Sequence, residues 1–184
     1  QLHKCNFRSQ KRQLNSGDMR MEVDATMLIE TQIIRTRRAE LSDAEFVAKV
    51  LTNEDVQKYT GGVKASYEQT IDHIRSKPET LRPFYIIETT SGDQVGYVAL
   101  FPNNDLGTEE PLISLLPQHW RKGYGNELLR YVKEHWMANN GEMLVTVHPD
   151  NTASLSLLKR QGFSFVKNIN NEFGQKQHVY RAKR

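Results

Sequence analysis

The chain has 184 residues, of which 38% are apolar and 26% charged, enough for one soluble domain with a sizeable core; no apolar run reaches the roughly 18 residues that a membrane span requires. Cys5 is the only cysteine, which excludes an internal disulfide framework and a thiolate metal cluster. The net charge of +3 is mildly basic, but Lys and Arg are scattered rather than gathered on one stretch, which argues against a nucleic-acid-binding surface.

Gln1 to about Thr26 is polar and aperiodic and reads as an extension or arm, so the expected division is an arm over 1–28 and a catalytic domain over 29–184. No stretch near the start combines a basic patch, an apolar core and a small-residue cleavage site, so the cytoplasm is the expected location. Ile29 to Arg37 alternates through Ile29, Thr31 and Ile33 and suggests a first strand. Ser42 and Glu45 are spaced as a capping box ahead of the helical face of Phe46, Val47, Val50 and Leu51. Ser66 is the N-cap expected for a second helix, with Ile71 and Ile74 inward, ending before Pro78. Phe84 to Glu88 and Gln94 to Phe101 are β-rich runs joined at Ser91-Gly92-Asp93, and Leu112 to Leu116 is a further strand stopped by Pro117.

The next stretch carries the most chemistry. Leu115 to Leu129 reads strand, short loop with Gly123 and Gly125, then a helix starting near Gly125, with Leu128, Leu129, Val132 and Trp136 at helical spacing and Gly141 as its stop. Loop amides ahead of a helix are donors without partners, and the helix dipole adds positive potential, so the place suits a diphosphate; Arg121 and Lys122 add charge. Taken alone, two glycines favour the reading of an ordinary strand-to-helix turn. Met143 to Val147 then reads as a buried strand and His148-Pro149-Asp150 as a turn. Asn151 caps a helix carrying Leu155, Leu157 and Leu158, which ends at Gly162 and passes into an apolar strand from Phe163 to Val166.

Trp-Arg-Lys-Gly-Tyr-Gly at 120–125, followed by Asn-Thr-Ala-Ser-Leu-Ser-Leu-Leu-Lys-Arg-Gln-Gly-Phe at 151–163, resembles the cofactor loop and the following Asn-to-Gly-Phe helix of GNAT acetyltransferases. The resemblance runs from about Ile29 to the C-terminus. It implies an α/β (α+β) fold whose central sheet is mixed, mostly antiparallel and splayed, flanked by helices. It also implies acetyl-CoA as co-substrate, no metal, and a primary amine as acceptor, either a protein N-terminus or a small molecule, with a homodimer possible. The arm of the cofactor would lie along Leu115 and Leu116, and its pyrophosphate on Arg121, Lys122, Gly123, Tyr124, Gly125 and Asn126. Asn151 and Ser154 would reach the thioester end, and Lys159 or Arg160 the adenosine phosphate.

Trp120 and Leu158 stand where many members carry a polar residue and a proton-donating Tyr, and both substitutions resemble the ribosomal-protein N-acetyltransferase branch. Transfer to an amine needs a neutral nucleophile and a route for its proton. Glu110 is the candidate base, with Glu109 as competitor; the plain reading of either is a hairpin-end carboxylate in solvent. Ser154 is the candidate partner of the leaving sulfur, an amide near Leu116 the candidate donor to the thioester carbonyl, and His119 and His148 read as exposed loop histidines. A noncatalytic acyl-CoA-binding module is the alternative.

Overall fold

In the computed structural model, the structure describes residues 27–171 and 174–183. The polar stretch over 1–26 with Cys5 lies outside the described residues. Among the described residues, seven strands and five α-helices follow in the order β1 (Ile34–Arg38), α1 (Ala44–Leu51), α2 (Glu54–Gln57), α3 (Tyr67–Ser76), β2 (Phe84–Thr89), β3 (Gln94–Asn103), β4 (Thr108–Leu115), α4 (Tyr124–Asn140), β5 (Glu142–Val147), α5 (Thr152–Arg160), β6 (Ser164–Asn170) and β7 (Lys176–Lys183). They build two antiparallel sheets, β1-β2-β3-β4 and β5-β7-β6. The expected splay thus falls between β4 and β5, which lie side by side but, among the described residues, outside any common ladder, and the pairings within each sheet are antiparallel.

The continuous apolar run of β2 is explained by burial on both faces. Tyr85 and Ile87 join Val95 and Val98 in a core shared with Leu128, Val132 and Trp136 of α4 and with Met143, Val145 and Tyr180 of the second sheet. Phe84 and Ile86 turn the other way, to Tyr97, Ala99 and the inner faces of α1 and α3. Met27 and Ile29, at 0% and 3% exposure, also enter the first core. Gly96 allows β3 and β4 to close up, because a Cβ there would run into the carbonyl oxygen of Ser114.

Three expectations change, and one helix is unforeseen. The first strand starts at Ile34, not Ile29: the Ile29 and Thr36 backbones face each other across a reversal at 30–33, so Ile34 and Thr36 point inward while Ile33 is exposed. The cap ahead of α1 belongs to Glu40, whose amide donates to Asp43 Oδ2 at 2.8 Å, because a 3-10 turn over Leu41–Asp43 takes up the chain one turn before the expected Ser42–Glu45 box. The helix α2, capped by Asn53 Oδ1 accepting from the Val56 amide at 3.0 Å, had no periodic signal long enough to read. Finally, Phe163 is buried but the strand that follows is an exposed edge, with Phe165 at 51% and Val166 at 38% exposure. The Ser66 cap of α3, with its reciprocal Gln69, is as expected.

Candidate active site

Between β4 and β5 lies a cleft of about 1030 Å³. At its floor sits Glu110 of β4, and at its rim the loop 120–125 and the first turn of α4.

That loop departs from ordinary backbone geometry at two positions. Arg121 has φ 61° and Gly123 φ 87°, the latter as N-cap of α4. Left-handed backbone costs a non-glycine residue about 1–2 kcal/mol, so Arg121 is held there by its surroundings. Alternating backbone of this kind turns consecutive N–H groups toward one concavity, the arrangement of an anion nest. Among the described residues, no hydrogen bond uses the amides from Arg121 to Asn126; the first amide of α4 to find an acceptor is that of Glu127, on Gly123 O at 3.0 Å. The loop therefore offers donors and the positive end of a 17-residue helix together. Gly125 needs no special backbone. A Cβ there would stand 3.6 Å from Leu115 Cδ1 and 3.9 Å from Leu157 Cδ2, both cleft-lining side chains, so its hydrogen keeps the cleft open.

Glu110, Leu115, Arg121, Gly123, Tyr124, Gly125, Asn126, Asn151, Ser154 and Arg160 all line this one cleft. Leu116 does not: it is 2% exposed, in the core, and its amide already donates to Val95 O at 3.0 Å, so it is not a donor free for a carbonyl. Lys122 and Lys159 are exposed and stand outside the lining. The Leu115 carbonyl accepts the indole N–H of Trp120 at 2.7 Å, which ties the loop back onto β4. Asn151 caps α5 through its Oδ1, which accepts from the Ser154 amide at 3.1 Å, while among the described residues no hydrogen bond uses the Ser154 hydroxyl. Leu158 is core, at 6% exposure.

Glu110 is not a solvated hairpin-end carboxylate. Burial raises its pKa above the usual carboxylate range, against the hydrogen bonds from Thr146 and Asn103 that lower it. Its neighbour Glu109 is exposed. Both histidines prove to be cleft residues. His119 is pushed below the ordinary imidazole value by burial and by the Lys122 charge. His148 packs its ring 5.3 Å from that of Tyr59 and accepts the Asp150 amide on Nδ1 at 3.2 Å. Sequence reasoning missed the opposite wall, formed by Asp55, Val56, Tyr59 and Thr60 of α2 and its loop, and Thr146 of β5. The only available signal was the Asn53 cap followed by Glu54 and Asp55.

Residues 34–164 match the sequence profile described as the Acetyltransferase (GNAT) domain. The chain belongs to the GNAT acetyltransferases. Its α+β architecture of antiparallel sheets and flanking helices is that of the family, and so is acetyl-CoA-dependent acyl transfer. Among solved structures, a GNAT-family acetyltransferase of Bacillus anthracis is similar at 19% identity and a TM-score of 0.69, over 85% of this chain and 98% of that one. A spermidine N-acetyltransferase of Vibrio cholerae, solved with CoA and spermine, is similar at 18% identity and 0.67, over 84% and 96%. RimL, a ribosomal alpha-N-protein acetyltransferase solved with coenzyme A, is similar at 15% and 0.63, over 85% and 97%. At these identities the likeness is one of fold. No curated protein matches the chain by sequence. Among the described residues, no helix of this acetyltransferase is long and apolar enough to cross a membrane.

Proposed function

We propose that this GNAT domain transfers an acetyl group from acetyl-CoA directly to a primary amine, and that the cleft between β4 and β5 is where the two meet. The observation that carries the reading is the run of amides from Arg121 to Asn126, without acceptors of their own, at the mouth of a cleft that also holds a carboxyl of raised pKa. The residues fit the cofactor: the loop amides and the α4 N-terminus would bind its diphosphate, Arg121 would add charge, and Leu115, Gly125 and Leu157 would flank its arm. When bound, acetyl-CoA supplies the activated acyl group.

The chain's own residues have two tasks. Glu110 accepts the proton that a protonated amine must lose before it can attack, directly or through water; burial brings its carboxyl closer to neutral pH, where it is a better base than an ordinary Glu. The Ser154 hydroxyl, free of the local backbone, is positioned to donate to the leaving sulfur, a role Leu158 cannot take from the core. For the acceptor we favour a peptide α-amine, on the Trp120 and Leu158 pattern of the ribosomal-protein branch, over a polyamine.

Calorimetric titration with acetyl-CoA, with adenosine as control, tests the cofactor site, and turnover with spermidine and with a free-N-terminus alanyl peptide tests the acceptor. Micromolar binding that needs the diphosphate and arm, followed by amine-dependent thioester loss, is the expected outcome. Binding without turnover on any amine would make the domain a sensor of acyl-CoA, and absence of binding in the folded protein would reject the site.

A further inference from the structure

Among the described residues the two sheets share no ladder, yet side chains tie them at the cleft floor. Thr146 of β5 gives both its donors to Glu110 of β4: its amide donates to Oε1, and its hydroxyl lies 2.8 Å from Oε1 and 3.1 Å from Oε2. From the end of β3, Asn103 Nδ2 donates to Oε2 at 2.6 Å. The carboxyl is thus referenced to three strands at once and cannot swing without breaking a bond to one of them.

The character of these donors matters more than their number. A tie between sheets would be made equally well by an Arg or Lys, but a cation beside the carboxylate would draw its pKa down and spoil it as a base. Neutral donors hold the group in place at smaller cost to its basicity, and a carboxylate has about four lone-pair sites, so acceptor capacity remains on Oε2. The other ionisable groups lining the same cleft are Asp55, Tyr59, His119, Arg121, Tyr124, His148 and Arg160, and among the described residues none of them is hydrogen-bonded to Glu110. Glu109, its neighbour along β4, falls on the opposite face of the strand.

We infer that Thr146, assisted by Asn103, is a positioning residue that aims the Glu110 carboxyl at the acceptor amine, and that it is not merely a brace between the sheets. The inference rests on Glu110 as proton acceptor. In that step an ammonium N–H bond breaks, the proton passes to the carboxylate, and the carboxylic acid so formed later returns it to water.

The test is carried out on the full chain. Thr146→Val removes the hydroxyl while keeping the amide and the β-branched shape, and Thr146→Ser keeps the hydroxyl. With glutamate labelled by carbon-13 at the side-chain carboxyl, the Glu110 resonance is assigned by its loss in Glu110→Gln and followed against pH. The hydroxyl favours the ionised carboxyl, so its removal should raise the midpoint by roughly one to two pH units. In parallel, the loss of aim should outweigh the gain in basicity, so that kcat on spermidine or the alanyl peptide falls about tenfold with acetyl-CoA Kd within about twofold, and Thr146→Ser should restore both. An unmoved midpoint in Thr146→Val overturns the inference, as does a fall in kcat matched by an equal loss of acetyl-CoA affinity, the mark of a brace. Undiminished kcat in Glu110→Gln rejects Glu110 as the base itself; low kcat in Glu110→Gln with normal kcat in Thr146→Val rejects only the positioning role.

Discussion

Gly125 at the first turn of α4 faces Leu115 at the end of β4 so closely that a Cβ on the glycine would sit 3.6 Å from the leucine Cδ1, an ordinary contact. The protein alone would therefore accept alanine. Because Ala is also the better helix residue by about 0.5–1 kcal/mol, Gly125→Ala should leave Tm unchanged or raise it. Its methyl would stand between Leu115 and Leu157 in the cleft, and acetyl-CoA Kd should rise about tenfold, the worth of about 1.4 kcal/mol. Calorimetry beside thermal unfolding checks both halves, and an unchanged Kd would place the cofactor arm elsewhere.

Gly123 separates the same two properties in a different way. Nothing lies within 4 Å of a Cβ built there, but its φ of 87° is left-handed. Gly123→Val should lower stability by at least the 1–2 kcal/mol of left-handed strain, and weaken acetyl-CoA binding by disturbing the nest of amides. Gly123→Asn should be milder in both, since Asn tolerates this region. Equal Tm values for glycine, asparagine and valine at this position would contradict the strain argument.

Asn151 and Ser154 are neighbours in one cap with opposite expected phenotypes. Asn151→Ala removes the acceptor of the Ser154 amide and should cost about 0.5–2 kcal/mol of stability. Ser154→Ala removes a hydroxyl that no described group uses, so Tm should hold while kcat falls several-fold. Denaturant unfolding and steady-state kinetics of the two variants decide the matter. A loss of stability without loss of kcat in Ser154→Ala would return Ser154 to a purely local role.

Acid stability should depend on Asp43. Arg37 grips it with two nitrogens, at 2.7 and 2.8 Å, and the Glu40 amide and Gln94 Nε2 add two more donors, each at 2.8 Å. Burial works to raise its pKa, but these bonds outweigh it and hold the carboxyl below the usual range. A depressed carboxyl contributes stability that is complete above the unfolded value of about 3.9 and is lost as pH falls through the lowered folded value. Asp43→Asn should thus be less stable than the parent at pH 7, with a gap that narrows below about pH 4. Tm measured from pH 7 downward tests this; a gap independent of pH would mean that shape rather than charge matters at Asp43.

The features legible in the sequence were those written in short windows. Asn151 and Ser66 as caps, the glycines around the α4 N-terminus, the period of Leu128, Leu129 and Val132, and the turn at Ser91-Gly92-Asp93 each report a local backbone requirement, and two such windows in order carried the family. Tertiary structure decided everything that depends on what packs against what. The inward phase of β1 was set by Ile29 folding back on Thr36 and by pairing with β2, which overrode the apparent alternation from Ile29 to Ile33. The exposure of Phe165 and Val166 follows from the place of β6 at a sheet edge, which no composition reveals. Above all, the union of Glu110 with Thr146 spans strands that are far apart in the chain and share no ladder, so neither periodicity nor spacing encodes it. Hydrogen bonds of a helix or turn are satisfied within a few residues of their donors; those that aim a side chain into a cleft exist only after the sheets have met.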